Sequence, residues 1–201
     1  MDASCGAPYR CPRADLLRRP RPHGRSVVVG YRITRVLRSV TAVGAPNAVY
    51  VIDYDGTFIF PAPAAELWTT IARFDCFPSW WSWLREFAVQ GSGLRHGTSL
   101  HGIVAPPLPY RMRLDVVLEE CVPEQRLTAI VHGDLEGPAQ LTFEGDDSET
   151  RVHATWTIEM MQRPMRHAAR IAKPLLRWGH DRVVDATVDS FRRQLVAKDA
   201  R

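Results

Sequence analysis

The sequence predicts an α+β fold in which a curved antiparallel sheet wraps around one long C-terminal helix. Two observations predict it. From Phe87 to Met160 apolar residues recur mostly at every second position, in six stretches separated by short turns. From Arg163 to Lys198 the period becomes helical, and no other stretch offers a helix of that length. A long helix that follows many strands has to bury its apolar side, and a sheet is the only surface on offer.

The elements follow in order. Residues 1–24 carry Pro12, Pro20, Pro22 and clustered Arg with little to bury, and 26–45 scatter Val, Ile and Leu among Arg without a fixed period. Residues 1–47 are therefore expected to be a basic leader without stable structure, and 48–198 the folded domain. The run VYVIDYDGTFIF over 49–60 is β-branched and aromatic and reads as a strand. A helix is expected from Pro63 to Phe74, then a second short one from Ser79 to Glu86 within SWWSWLREF. These two should plug one end of the sheet.

Strands are expected over 87–90, 97–104, 110–119, 126–133, 139–144 and 151–160, with a turn at Asp134–Pro138. Met112, Leu114, Val116 and Leu118 alternate with Arg111, Arg113, Asp115 and Glu119, and Trp156, Ile158 and Met160 with Thr155, Thr157 and Glu159, which gives a sheet with one wet face. In the final helix Leu176, Val183, Val184, Thr187, Val188, Phe191 and Leu195 share one arc, while Arg182, Asp189 and Arg193 lie outside or at its margin. Pro174 interrupts the pattern and should kink the helix. Before it the stripe is set on Ala168, Ile171, Ala172 and Leu175.

Charge is unevenly spread. The total is +4, but residues 1–48 hold nine Arg against Asp2 and Asp15, so the remainder is net −3. A mildly acidic body argues against nucleic-acid binding by the domain. None of the four Cys forms a C-x-x-C pair, and no disulfide framework, zinc site or other metal site is suggested. No run of about 18 apolar residues exists, and no signal peptide is recognisable, so a cytoplasmic protein without an integral membrane segment is expected. Nucleotide and serine-triad chemistry lack their glycine-rich loop and nucleophile elbow. No cofactor is implied, and nothing sets an oligomeric state.

Three stretches carry a resemblance. PAPAAELWTTIARFDCFPSWWSWL is similar to a strand-to-helix junction ending in Trp-Trp-Pro-Trp-Leu, with Ser82 where that pattern often has Pro. ETRVHATWTIEM is similar to a late strand, and PLLRWGHDRVVDATVDSFRRQL to a last helix bearing Trp-x-His-Asp. Together they resemble the START-like superfamily, and within it the bacterial polyketide cyclase/dehydrase and lipid-transport (SRPBCC) family, over about residues 48–197. The resemblance implies a helix-grip fold with a cavity between sheet and helix that takes a hydrophobic small molecule. It implies a binding or carrier protein, with a cyclase or dehydratase using the same cavity as the alternative. A protein-interaction scaffold with a collapsed interior is the third reading.

The inward-facing residues then become the expected lining: Trp81, Met112, Leu114, Trp156, Ile158, Leu176, His180, Val184 and Phe191. His180 lies about 20° from Phe191 on the wheel, which makes it a cavity donor, a candidate general acid or base, or a packed structural histidine. Asp181 reads as a rim salt bridge. His153 should face out, whereas His101 and His132 read either way. Trp80, Trp81 and Trp83 read as core or as interfacial anchors. Leu108-Pro109, in Pro106-Pro107-Leu108-Pro109, resembles the gate loop that closes over ligand in plant hormone receptors of the superfamily, and reads equally as a rigid turn.

Overall fold

The computed structural model describes Thr34–Arg35 and residues 50–199, with backbone alone for Thr34–Arg35, 163–172 and 197–199. The expectation of an unstructured leader thus falls almost wholly outside the described residues. The described residues form β1 (Thr34–Arg35), β2 (Val51–Phe60), α1 (Ala64–Ile71), a 3-10 turn (Phe74–Cys76) and α2 (Phe77–Trp80). Then come β3 (Leu84–Gln90), β4 (Ser99–Val104), β5 (Met112–Val122), β6 (Arg126–Gly133), β7 (Leu135–Gly145), β8 (Thr150–Met160) and α3 (Arg163–Asp199). One antiparallel sheet runs β1-β2-β8-β7-β6-β5-β4-β3. The expected meander is present, and α3 lies on its inner face, where Leu176, Val188, Phe191 and Leu195 are buried.

Alternation sets which residues meet. Along β2 the buried positions are Tyr54, Gly56, Phe58 and Phe60. Their partners on β8 are Trp156, Ala154, Val152 and Thr150, so the same face of both strands is buried and, but for Thr150, apolar. Tyr54 opposite Trp156 yields a parallel stack with ring centroids 4.1 Å apart. Gly56 makes the room: a Cβ there would sit 2.4 Å from the Tyr54 hydroxyl oxygen.

Three expectations need correction. The second short helix ends at Trp80, because Trp81 is extended and Leu84 already pairs with Val104 in β3. Ser82 and Trp83 form a turn, closed by the Leu84 N–H donating to the Trp81 carbonyl at 3.0 Å, and the strand starts at Leu84. The turn at Asp134–Pro138 shrinks to Asp134, and β7 begins at Leu135. Pro138 is tolerated in an interior strand because the β7–β8 ladder lapses at 137–138 and resumes at Ala139 opposite Trp156. Gly137, at φ 145°, brings its backbone against the Thr157 carbonyl there, where a Cβ would sit 2.1 Å away. Finally, Leu175 is exposed and does not extend the buried stripe. The side chains of Ala168, Ile171 and Ala172 lie outside the described residues, and α3 continues helical through Pro174.

The interior has two halves. In one, Leu67, Phe74, Phe77 and Trp81 from the plug pack on Phe58, Phe60, Leu118, Phe143, Val152, Phe191 and Leu195. Phe191 is ringed edge-on by Phe77, Trp80 and Trp81 at 6.0, 5.8 and 5.6 Å. Polar pins fix α3 at this end. Ser190 Oγ donates to the Trp80 carbonyl at 3.1 Å, and Arg192 Nε and Nη2 donate to the Ile59 carbonyl at 3.2 and 3.1 Å. In the other half Tyr50, Val131, Leu135, Ile158, Met160 and Leu176 form a second cluster.

Candidate functional site: an apolar cavity beside His180

The second cluster surrounds a cavity of about 320 Å³ between the sheet and α3. Its walls come from β2 (Ile52), β5 (Met112, Leu114, Val116), β6 (Val131), β7 (Leu135, Ala139), β8 (Trp156, Ile158, Met160) and α3 (Leu176, Gly179, His180, Val183, Val184). Trp83, Val104, Pro106 and Tyr110 complete it, and carbon makes up nearly all of the exposed wall. Each strand supplies the residues at one end of its inward row. Met112 and Leu114 border the cavity, whereas Leu118 on the same row belongs to the packed half.

The stacked pair Tyr54 and Trp156 stands at the boundary, and the His180 ring lies 5.4 Å from Tyr54 and 5.5 Å from Trp156. Trp156 Nε1 donates to His180 Nε2 at 3.2 Å, and His180 Nδ1 lies 3.2 Å from Asp181 Oδ1. An indole nitrogen can only donate. Nε2 is therefore the bare nitrogen, and the ring proton sits on Nδ1 and donates to Asp181. Asp181 thus engages the adjacent histidine. With both ring nitrogens engaged, His180 shows the cavity mainly carbon, and its lone pair becomes available to a ligand only if the indole lets go.

Tyr110 borders the cavity from the segment before β5. Its hydroxyl is pushed up to about 12, first by burial and then by the nearby Tyr50 phenol. Burial also raises Tyr50, with Arg177 opposing. The loop that precedes Tyr110 reaches α3. A Cβ on Gly179 would lie 2.6 Å from Leu108 Cδ1 and 3.1 Å from the Tyr110 hydroxyl oxygen, so glycine there is what allows the loop to rest on the helix. Pro106 borders the cavity, Leu108 covers Gly179, and Pro109 is exposed.

Of the sequence-predicted residues, Met112, Leu114, Trp156, Ile158, Leu176, His180 and Val184 come together around the cavity. Trp81 and Phe191 do not. Both lie in the packed half, where the plug fills the space they were expected to face. Tyr110, Trp83, Met160 and Gly179 were missed. The β8 alternation could have delivered Met160, which follows Trp156 and Ile158 on one face; no local pattern marks Gly179. His153 faces out and pairs with Asp55 at 2.9 Å, and His101 pairs with Asp115 at 2.6 Å. His132 is exposed. Among the described residues no group of three or more His, Cys, Asp or Glu could hold a metal ion, and no helix is long and apolar enough to cross a membrane.

No protein-family model matches the sequence, and no curated protein sequence matches it either. Solved structures do. The chain is similar to TTHA0849 from Thermus thermophilus, with a TM-score of 0.61 at 15% identity, covering 73% of this chain and 98% of that one. It is similar to the Zhui aromatase/cyclase from Streptomyces sp. R1128, with a TM-score of 0.58 at 11% identity over 72% and 93% of the two chains. A third is norcoclaurine synthase from Thalictrum flavum in complex with dopamine and hydroxybenzaldehyde, with a TM-score of 0.54 at 12% identity over 80% and 97%. Likeness at such identities is one of fold. The chain has an α+β helix-grip fold.

Proposed function

We propose that the chain binds one hydrophobic small molecule in the cavity between the sheet and α3 and acts as a binding or carrier protein. The observation that carries this reading is the composition of the wall: nineteen residues border the space, and carbon forms nearly all of the surface they present. A space of that size, lined by apolar and aromatic side chains, is the usual form of a small-molecule pocket. It is equivalent to about ten water volumes, which suits a compact ligand rather than a two-chain lipid. The ligand complex of norcoclaurine synthase, a protein of the same fold, supports this use of the architecture. Leu108 and Pro109 form the gate in this proposal, closing on Gly179.

The cyclase or dehydratase alternative has one specific observation in its favour, the hydrogen-bonded pair His180 and Asp181. An enzyme needs an acid and a base converging on one reacting atom. Here the His180 lone pair is already taken by Trp156, which favours the carrier reading. The test is titration with a neutral apolar dye, N-phenyl-1-naphthylamine. Saturable binding at about one per chain is expected, and Ala139→Phe, which fills the cavity from β7, should abolish it. If the dye does not bind, or if Ala139→Phe binds like the parent chain, the cavity is not the site.

A further inference from the structure

One stripe of α3 is left open along most of the helix. From Trp178 onward the exposed residues with described side chains are Trp178, Arg182, Asp189, Arg193 and Val196. With Leu175 they fall within an arc of about 60° on the wheel. Leu175, Trp178 and Val196 are among the few large apolar side chains left open, at 49%, 50% and 58% exposure. The stripe is thus apolar at both ends and charged between them. Its charges cancel: Arg182 and Arg193 stand against Asp189 and the half-buried Asp185 at its margin. Asp189 has Arg192 at 3.6 Å on its own helix and still shows most of its side chain to solvent. Arg193 Nη2 donates to Ser190 Oγ at 2.8 Å, which uses one of its N–H donors. A stripe without net charge gives a strongly charged partner little hold.

We propose that this stripe seats a second copy of the chain, with the two α3 helices antiparallel across a twofold axis. The spacing of the residues carries the proposal. Leu175 with Val196, Trp178 with Arg193, and Arg182 with Asp189 are three pairs that share one midpoint, between Asp185 and Ala186. Two antiparallel copies crossing at that midpoint bring the members of each pair level, and every pair occurs twice. Leu175 and Trp178 then come level with Val196 and Arg193 of the second copy, which covers the apolar ends and sets a guanidinium beside an indole. Arg182 comes level with Asp189 of the second copy, opposite in charge. Asp185, beside the axis, approaches its own copy, and Arg182 three residues earlier on the helix offsets that repulsion. The contact spans Leu175 to Val196, roughly 30 Å of helix. One helix per chain is a small interface, so a reversible dimer with a Kd on the order of micromolar is expected.

The experiment is analytical ultracentrifugation of the full chain over about 1–200 μM. The weight-average mass should rise from one chain toward two. Leu175→Ser with Trp178→Ser should weaken self-association by more than about tenfold. Arg182→Asp and Asp189→Arg each set like charges opposite one another twice, and each alone should weaken it by at least about fivefold. Mixed together, these two variants restore both pairs, and the mixture should dimerise about as well as the parent chain. All four side chains are exposed and none borders the cavity, so melting temperature and uptake of the neutral dye should stay as in the parent. A chain that stays single at about 200 μM would overturn the proposal. So would variants that dimerise like the parent, which would place the contact elsewhere in the chain. A mixture no tighter than its two components would also overturn it, because the antiparallel pairing requires Arg182 to face Asp189.

Discussion

The two halves of the interior are built from the same strands and the same helix, yet one is solid and the other hollow. β2 crosses from Ile52 at the cavity to Phe58 and Phe60 in the packed half, and β8 from Ile158 to Val152. α3 crosses from Leu176 to Phe191 and Leu195. Residue type does not explain the difference, since both halves are apolar. The plug does: α1, the 3-10 turn and α2 fold Leu67, Phe74, Phe77 and Trp81 into the space under one end of the sheet, and no described element does so at the other. A curved sheet and a helix cannot close on each other completely, and whichever end lacks a filler stays open.

The comparison can be broken by paired truncations. Phe191→Ala removes a ring held by three aromatic neighbours and should cost about 3–5 kcal/mol, read by denaturant unfolding. Leu176→Ala, on the same helix at the hollow end, should cost about 2 kcal/mol, the low end of its class, because part of its surroundings is already empty. Equal losses would mean that the cavity collapses around the change. A smaller effect sits at Tyr110, whose hydroxyl is raised to about 12. The unfolded value is near 10, so the stability owed to burying the neutral phenol is complete below about pH 10 and lost as pH rises through about 12. Tyr110→Phe should remove the alkaline destabilisation across that window, and unchanged alkaline melting would show that the phenol is wet. The smallest effect on stability is expected at Gly179. Gly179→Ala gains up to about 1 kcal/mol of helix propensity, offset by the displacement of Leu108. Its signature should be faster release of bound dye in stopped flow, with little change in melting temperature.

What was legible in the sequence was whatever repeats. Alternation placed Met112, Leu114, Trp156 and Ile158 on the inner face, and the wheel did the same for Leu176, His180 and Val184, because both depend only on local geometry. Height along the interior is not local. Phe191 and Leu176 share an arc, and only the tertiary position of the plug decides that one is packed and the other borders a void. Trp81 failed for the same reason. The His180–Trp156 bond was hidden as well, since it joins a helix to a strand, and Asp181 reaches its own neighbour in a way the wheel discourages. Gly179 resembles any helical glycine until the loop carrying Leu108 is laid over it.

The pairing of β2 with β8 governs the order in which the molecule comes into being. Val51 meets Glu159 and Phe60 meets Thr150, so β2 closes on a strand made on the order of a hundred residues later. At ribosomal rates of roughly 5–20 residues per second, β2 waits on the order of ten seconds for that partner. β3 to β7 can meanwhile zip hairpin by hairpin through short turns, the fast kind of contact. Pulse-labelled hydrogen exchange should find the β2 amides protected last, and protection of β2 before β8 would contradict this order. The stack of Tyr54 on Trp156 cannot exist until then. The chamber beside it is finished only when the rest of the sheet has formed, and a guest enters a completed house.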